Sequence, residues 1–248
     1  MRLEKDKHYL FGHRGYAKDA VENTIPSFLL CIERGIPGVE LDVHLTRDGK
    51  LVVAHDFSLL RTALVDKKIE ELDYKELEEY NVGAYKGGNG RIPLLSEVFA
   101  TCGKKLYYDI EIKDNGIKDI GLEKALWKEI AASGMTDYCV VSSFNPVALR
   151  RFRHVSKRHI DTGLIFFTDK TVPKILWHGG GRLLSGCTFL KPGIHEVTGK
   201  LLRKFKRRYP IIPWTVDDKE TAQTMHAIGV SGVISNDPSV ALDEFGKQ

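Results

Sequence analysis

Eight short, apolar, β-rich runs recur along this chain, and segments of helical period stand between them. The runs are Tyr9–His13, Val39–Val43, Lys105–Ile112, Tyr138–Ser142, Thr162–Phe167, Cys187–Leu190, Ile211–Val216 and Val230–Ser235. The intervening helical patterns include Thr24–Arg34, stopped by Gly35, then Leu122–Ala132, Pro146–Lys157 and Lys219–Ile228. Alternating β and α units at this spacing predict a parallel sheet. A length of 248 residues suits two small domains as well as one barrel. Eight units with no linker, low-complexity tract or internal repeat between them favour the closed α/β form, a TIM (β/α)8 barrel over residues 1–248. The apolar fraction, 42%, is ample for its core.

One segment breaks the rhythm. After the short extra strand Leu51–Ala54, nearly forty residues separate His55 from Pro93. They hold a polar helical pattern, Lys75–Tyr80, and the glycine-rich stretch Gly87-Gly88-Asn89-Gly90. We read an insertion of approximately 57–92 after strand two. Such insertions usually sit at the C-terminal face of a barrel, near the site.

Net charge is +4, with both signs spread along the chain. This is no nucleic-acid signature, and it is compatible with an anionic small substrate. Cys31, Cys102, Cys139 and Cys187 lie among apolar residues without a C-x-x-C pair, as buried thiols of a reducing compartment do. The stretch Met1–Tyr9 lacks the apolar run of a signal peptide, and no segment is a candidate membrane span. The expectation is a soluble, cytoplasmic protein. The basic run Lys200–Arg208 places Leu201, Leu202 and Phe205 at helical spacing, so it reads as a solvated helix face over an apolar stripe rather than a membrane surface. Gly179-Gly180-Gly181 lacks the Lys-Ser/Thr of a phosphate loop and reads as a turn.

Four segments concentrate polar chemistry at strand ends. Gly12-His13-Arg14-Gly15 puts an imidazole and a guanidinium where the first strand finishes, although a lone His-Arg pair carries little by itself. In Val39-Glu40-Leu41-Asp42, alternation sends Glu40 and Asp42 to one face and Val39, Leu41 and Val43 to the other. Two buried carboxylates repel and are costly to desolvate. A divalent cation resolves both problems, and internal salt bridges to Arg or Lys are the alternative. Ala54-His55-Asp56 brings in a second histidine. In Tyr107-Tyr108-Asp109-Ile110-Glu111-Ile112-Lys113, three ionisable groups share one face. Glu111 would be a third oxygen ligand for a hard cation of the Mg²⁺ or Ca²⁺ type, and Lys113 would meet a phosphate oxygen. His44 shares the face of Glu40 and Asp42 but leads into a turn. Trp214, ending the seventh run, suits ligand contact and packing equally.

Together these segments resemble the glycerophosphodiester phosphodiesterase family. Its motifs stand here as His13-Arg14-Gly15, Glu22-Asn23-Thr24, Glu40-Leu41-Asp42, Thr46-Arg47-Asp48-Gly49 and His55-Asp56. Later ones are Glu111-Ile112-Lys113, Trp214-Thr215-Val216 and the closing pattern from Gly229 to Pro238. Val21 replaces the family's usual Pro in a loop, and the spacing around Asp237 departs slightly from the commonest form, so Asp237 receives no role. The resemblance implies one divalent metal ion (Mg²⁺, Ca²⁺ or Mn²⁺) on Glu40, Asp42 and Glu111. It implies His13 and His55 as the general acid/base pair and Arg14 and Lys113 as phosphate-holding groups; Trp214 is kept as a candidate substrate contact from its place at a strand end. It also implies hydrolysis of glycerophosphodiesters to glycerol 3-phosphate and an alcohol, possible through attack by the glycerol hydroxyl next to the phosphoester. A lysophospholipase D would use the same centre on an acylated substrate. A non-catalytic metal- or phosphate-binding barrel would have little need of both histidines. The expected partner is a small glycerophosphodiester, with no nucleic acid and no transmembrane segment, and the oligomeric state stays open.

Overall fold

The parallel pairing expected of the β-rich runs is present, and it curls into a barrel. The computed structural model describes residues 1–4, 7–170 and 173–246; Lys5 and Asp6, within the charged N-terminal stretch, lie outside the described residues. The strands are β1 (Tyr9–His13), β2 (Gly38–Leu45), β3 (Leu51–Val53), β4 (Tyr107–Ile112), β5 (Cys139–Ser143), β6 (Thr162–Phe166), β7 (Phe189–Pro192) and β8 (Gly232–Ser235). All but β3 run parallel, in the order β7-β6-β5-β4-β2-β1-β8, while β3 folds back antiparallel on β2. The helices are α1 (Ile25–Glu33), α2 (Leu60–Ala63), α3 (Tyr74–Leu77), α4 (Leu95–Cys102), α5 (Leu122–Ala132), α6 (Pro146–Val155), α7 (Arg182–Ser185), α8 (Gly199–Phe205), α9 (Lys219–Ile228) and α10 (Leu242–Phe245).

The seventh expected strand, Ile211–Val216, takes a different form. It closes the barrel through isolated bridges from Ile211 to Leu190 and from Trp214 to both Gly193 and Ile234. Pro210 and Pro213 flank and interrupt it, and a proline has no N–H to give a ladder. The remaining backbone groups still join both neighbours: Ile212 N donates to Leu190 O at 2.9 Å and Val216 N to Ile234 O at 2.9 Å.

Strand alternation divides the interior into an apolar floor and a polar mouth. Tyr9, Phe11, Val140, Phe189, Ile212 and Ile234 form one buried cluster across the barrel. Gly163 makes room for it, since a Cβ there would lie 2.3 Å from the Phe189 ring. Two residues further along the same strand faces stand His13, Ser142, Lys191 and Asn236 in place of hydrocarbon. The outward set, including Val39, Leu41, Val43 and Ile110, packs under the helices in the larger core. The insertion holds a core of its own, with Leu59, Ile69, Leu72, Leu77, Val82 and Ile92 closing over Val52.

Candidate active site

Register brings the polar residues into adjacent rows. His13 pairs with Glu40, Glu40 with Asp109, and Asp42 with Glu111. Four carboxylates therefore meet at the C-terminal ends of β2 and β4, each no more than 6% exposed. One oxygen from each of Glu40, Asp42 and Glu111 lies within 4.8 Å of the others. Desolvation by burial, then the neighbouring Asp42, pushes the Glu40 carboxyl well above its ordinary range. Burial acts on Asp42 in the same sense, but Lys113, His55, Arg14 and the Asn23 hydrogen bond together outweigh it, and Asp42 is held well below the ordinary range.

Salt bridges answer part of this charge. Lys113 Nζ lies 2.6 Å from Glu111 Oε1 and 2.9 Å from Asp42 Oδ1. Lys191 Nζ pairs with Asp109 Oδ2 at 2.7 Å and donates to Ser142 Oγ at 2.9 Å. Glu40 accepts the Arg14 backbone N–H at 3.1 Å, and its nearest cation-forming neighbour is the His13 ring at 4.0 Å. Asp42 Oδ1 accepts no well-directed hydrogen bond despite the nearby ammonium. A buried, all-oxygen donor set of this kind fits a hard divalent cation. Internal salt bridges are present at three of the four carboxylates, Asp109 with Lys191 and Asp42 and Glu111 with Lys113, while Glu40, Asp42 and Glu111 converge closely enough to hold a cation.

Both histidines are oriented through Nδ1. His13 Nδ1 lies 2.7 Å from Asn236 Oδ1. The Asn236 amide nitrogen donates to Asp217 Oδ2 at 2.9 Å, which turns its oxygen toward the ring. His13 Nδ1 is therefore the donor, and Nε2 keeps its lone pair. Burial, then the Arg14 guanidinium, lowers the His13 pKa to about 4. His55 Nδ1 lies 2.7 Å from Asp56 Oδ1. His44 is buried behind it, with Nε2 3.3 Å from the His55 carbonyl and its ring edge-on to Phe57. His44 braces the loop carrying His55 and is not one of the converging oxygen donors' partners.

A chain of ion pairs couples the two halves of the site. Arg14 Nη1 meets Glu22 Oε1 at 2.8 Å, and Arg61 Nη2 meets the same oxygen at 2.6 Å. Arg61 Nε also donates to Asp56 Oδ2 at 2.6 Å. Arg61 comes from α2 of the insertion, so the insertion helps hold both Arg14 and the His55–Asp56 pair. Asn23 Nδ2 donates to Asp42 Oδ2 at 2.8 Å. Arg14 and Asn23 take left-handed backbones, φ 58° and 55°, a conformation uncommon outside glycine. Gly15 between them is required, because a Cβ there would lie 2.3 Å from Ser27 Oγ.

Of the residues singled out in the sequence, Glu40, Asp42, Glu111, Lys113, Arg14, His13 and His55 meet in this region. Trp214 stands apart on the rim. Its indole N–H donates to Lys191 O at 3.1 Å, and its ring meets Phe144 and Phe167 edge-on at 5.7 and 6.1 Å. Lys191, Asn236, Asp217 and Arg61 were not singled out, and Asn23 stood in a quoted motif without a role. Lys191 and Asn236 lie where strand alternation reaches the mouth, a signal available in the sequence. Asp237, given no role, accepts the Tyr16 hydroxyl at 2.7 Å and does not face His13.

Residues 13–240 match the model of the glycerophosphoryl diester phosphodiesterase family. A glycerophosphodiester phosphodiesterase of Caldanaerobacter subterraneus is 33% identical over 242 residues, covering 96% of this chain and 97% of the relative. Among solved structures, a glycerophosphoryl diester phosphodiesterase from Silicibacter pomeroyi superposes with a TM-score of 0.86 at 20% identity, over 98% of this chain and 95% of that one. An Oleispira antarctica phosphodiesterase in complex with the product sn-glycerol-3-phosphate superposes at 0.80 with 25% identity, over 99% and 98%.

The ion-pair chain carries a stability prediction. Burial opposes ionisation of Glu22, but Arg61 and Arg14 hold its pKa at about 2; the hydrogen bond from His55, with Arg61, holds Asp56 at about 2. Both values lie below the ordinary 4.5 and 3.8, so this stabilisation is full above the unfolded range and is lost as pH falls toward 2. Arg61→Ala should cost about 1–2 kcal/mol at neutral pH, discounted for the partial exposure of Arg61. Urea denaturation should show the gap to wild type closing as pH falls below about 4.

Proposed function

Because the chain belongs to the glycerophosphoryl diester phosphodiesterase family and is an enzyme of that class, we propose that it hydrolyses glycerophosphodiesters to glycerol 3-phosphate and an alcohol at the mouth of the barrel. The observation that carries this reading is the convergence of Glu40, Asp42 and Glu111 beside two histidines, each oriented through Nδ1 by an oxygen. A divalent cation held by the three carboxylates would supply charge compensation for the phosphate and the developing alkoxide.

The remaining work falls to side chains. Arg14 and Lys113 bring positive charge to the phosphate, and both stand beside Asp42, 3.8 and 2.9 Å away. His13, neutral with Nε2 unprotonated, accepts a proton from the nucleophile. His55, with the Asp56 carboxylate behind its ring, gives one to the leaving alkoxide. In the route we favour, the glycerol hydroxyl adjacent to the phosphoester loses its proton and attacks phosphorus. The bond to the alcohol breaks and a cyclic phosphate remains. Water then opens the ring while the histidines exchange roles. A tethered hydroxyl has a large effective-molarity advantage over free water. Trp214 on the rim would border the substrate. The insertion would cap the site and shape alcohol selectivity. Among the described residues no helix is long and apolar enough to cross a membrane. The four free, buried cysteines support a cytoplasmic location, which is part of this proposal.

Purified enzyme should release glycerol 3-phosphate from glycerophosphocholine, stop when treated with chelator and recover with Mg²⁺, Ca²⁺ or Mn²⁺. Glu40→Ala and Asp42→Ala should abolish turnover and weaken divalent-ion binding in calorimetric titration while the circular dichroism persists. Unchanged ion affinity in both variants would refute the ligand assignment.

Loss of either histidine should slow the reaction on the order of 10²- to 10⁴-fold. An analogue with hydrogen in place of the attacking hydroxyl should bind but turn over negligibly. Cleavage near the parent rate would make water the nucleophile and eliminate the cyclic route.

A further inference from the structure

Charge is segregated in this molecule to a degree that the overall net of +4 conceals. Residues 138–216 hold fifteen of the 37 Lys and Arg but three of the 33 Asp and Glu. That third of the chain builds α6, α7 and α8, successive pieces of the outer wall around β6 and β7. The wall is continuous: α6 packs on α7, and the Arg182 guanidinium of α7 lies 4.9 Å over the Phe205 ring of α8. The insertion is close to neutral, with seven Asp and Glu against six Lys and Arg over 57–92, and it follows the second strand of the eight-membered ring. The sixth strand, β7, lies across the ring from it. The excess of positive charge therefore lies on one flank.

At the centre of the basic flank is an open groove of about 750 Å³ between α6 and α7. Arg150, Arg153 and His154 of α6 line one side of it, together with Lys157 and Arg158 in the turn past the helix end, where the backbone is left-handed (φ 49° and 60°). None of these five makes an ion pair with a carboxylate among the described residues, whereas Arg151, on another face of the same helix, is bound to both Asp114 and Glu123. Burial, and then the neighbouring Arg158, lower the Arg153 pKa. The other side of the groove is Leu183 and Leu184, 77% and 44% exposed. Hydrophobic side chains this exposed, next to a row of unanswered cations, form the composition of an interfacial surface.

We infer that the α6–α7–α8 wall docks on an anionic phospholipid bilayer, with the cations of α6 and of the turn after it against lipid phosphates and Leu183 and Leu184 entering the headgroup boundary. Charge complementarity selects the occupant's sign. The leucines select lipid over nucleic acid, because a phosphodiester backbone offers them nothing to bury against. The near-neutral flank opposite offers no comparable excess of positive charge, which fixes the orientation. The inference does not depend on the reaction proposed above.

The test is co-sedimentation of the full chain with vesicles of phosphatidylcholine alone and of equimolar phosphatidylcholine and phosphatidylglycerol. Wild type should bind the mixed vesicles, ignore the neutral ones and be released by salt. Combined Arg150→Glu, Lys157→Glu and Arg158→Glu should lower partitioning on the order of 10²- to 10³-fold. Combined Leu183→Ser and Leu184→Ser should lower it about 10-fold. Turnover of glycerophosphocholine in solution and the circular dichroism should be unchanged in both. Failure of wild type to bind mixed vesicles, or equal binding by the charge-reversal variant, would overturn the inference. Binding of duplex DNA or inositol hexakisphosphate by this wall without vesicle binding would overturn it in favour of a soluble polyanion. Undiminished binding by the serine variant would overturn the insertion of the leucines.

Discussion

Carboxylates that cannot reach water must be answered by positive charge, and the mouth of this barrel is built around that requirement. Glu40, Asp42, Asp109 and Glu111 stand on two paired strands in a register that alternation does not allow them to leave. A one-residue slip would turn all four into the apolar layer beneath the helices. Lys191 closes the account of Asp109 from across the barrel, and Lys113 bridges Asp42 and Glu111. Glu40 receives a backbone N–H and a nearby imidazole. The apolar floor of Tyr9, Phe11, Phe189 and Ile234 beneath keeps the cluster dry and its interactions strong.

The positions around this cluster follow from holding it. The left-handed Arg14 lets its backbone N–H reach Glu40 while its guanidinium turns toward Glu22. Asn23, also left-handed, ties the next loop to Asp42. Glu22 then passes the connection to Arg61, and Arg61 to Asp56. An insertion with its own small hydrophobic core is thereby fastened to the site by charge, and the orientation of His55 depends on a helix outside the barrel repeat.

Much of this was legible in the sequence because it is local. Alternation placed Glu40, Asp42 and Glu111 on one face, and β-rich runs located all seven parallel strands to within two residues. The seventh expected run showed where patterning fails: Ile211–Val216 has the composition of a strand, but Pro210 and Pro213 reduce its ladder to bridges. Lys191, Asn236 and Asp217 were not singled out because their meaning lies in partners contributed by distant segments, Asp109 for the first and His13 for the other two. The basic flank shows the converse. Its cations are plain in the sequence, but only the closing of the barrel turns Lys191 inward to Asp109 and brings the helices that carry the rest into one wall. Read as an isolated run, Lys200–Arg208 was a solvated helix face; in the fold it is one panel of a wall.

The cation site is the claim on which the rest of the account turns, and anomalous scattering from crystals soaked in Mn²⁺ addresses it directly. The account predicts one manganese peak bounded by oxygens of Glu40, Asp42 and Glu111, with Lys113 Nζ withdrawn from its bridge between Asp42 and Glu111. A barrel mouth without manganese, Lys113 still bridging the two carboxylates, would contradict it and leave the salt bridges as the whole answer to the buried charge.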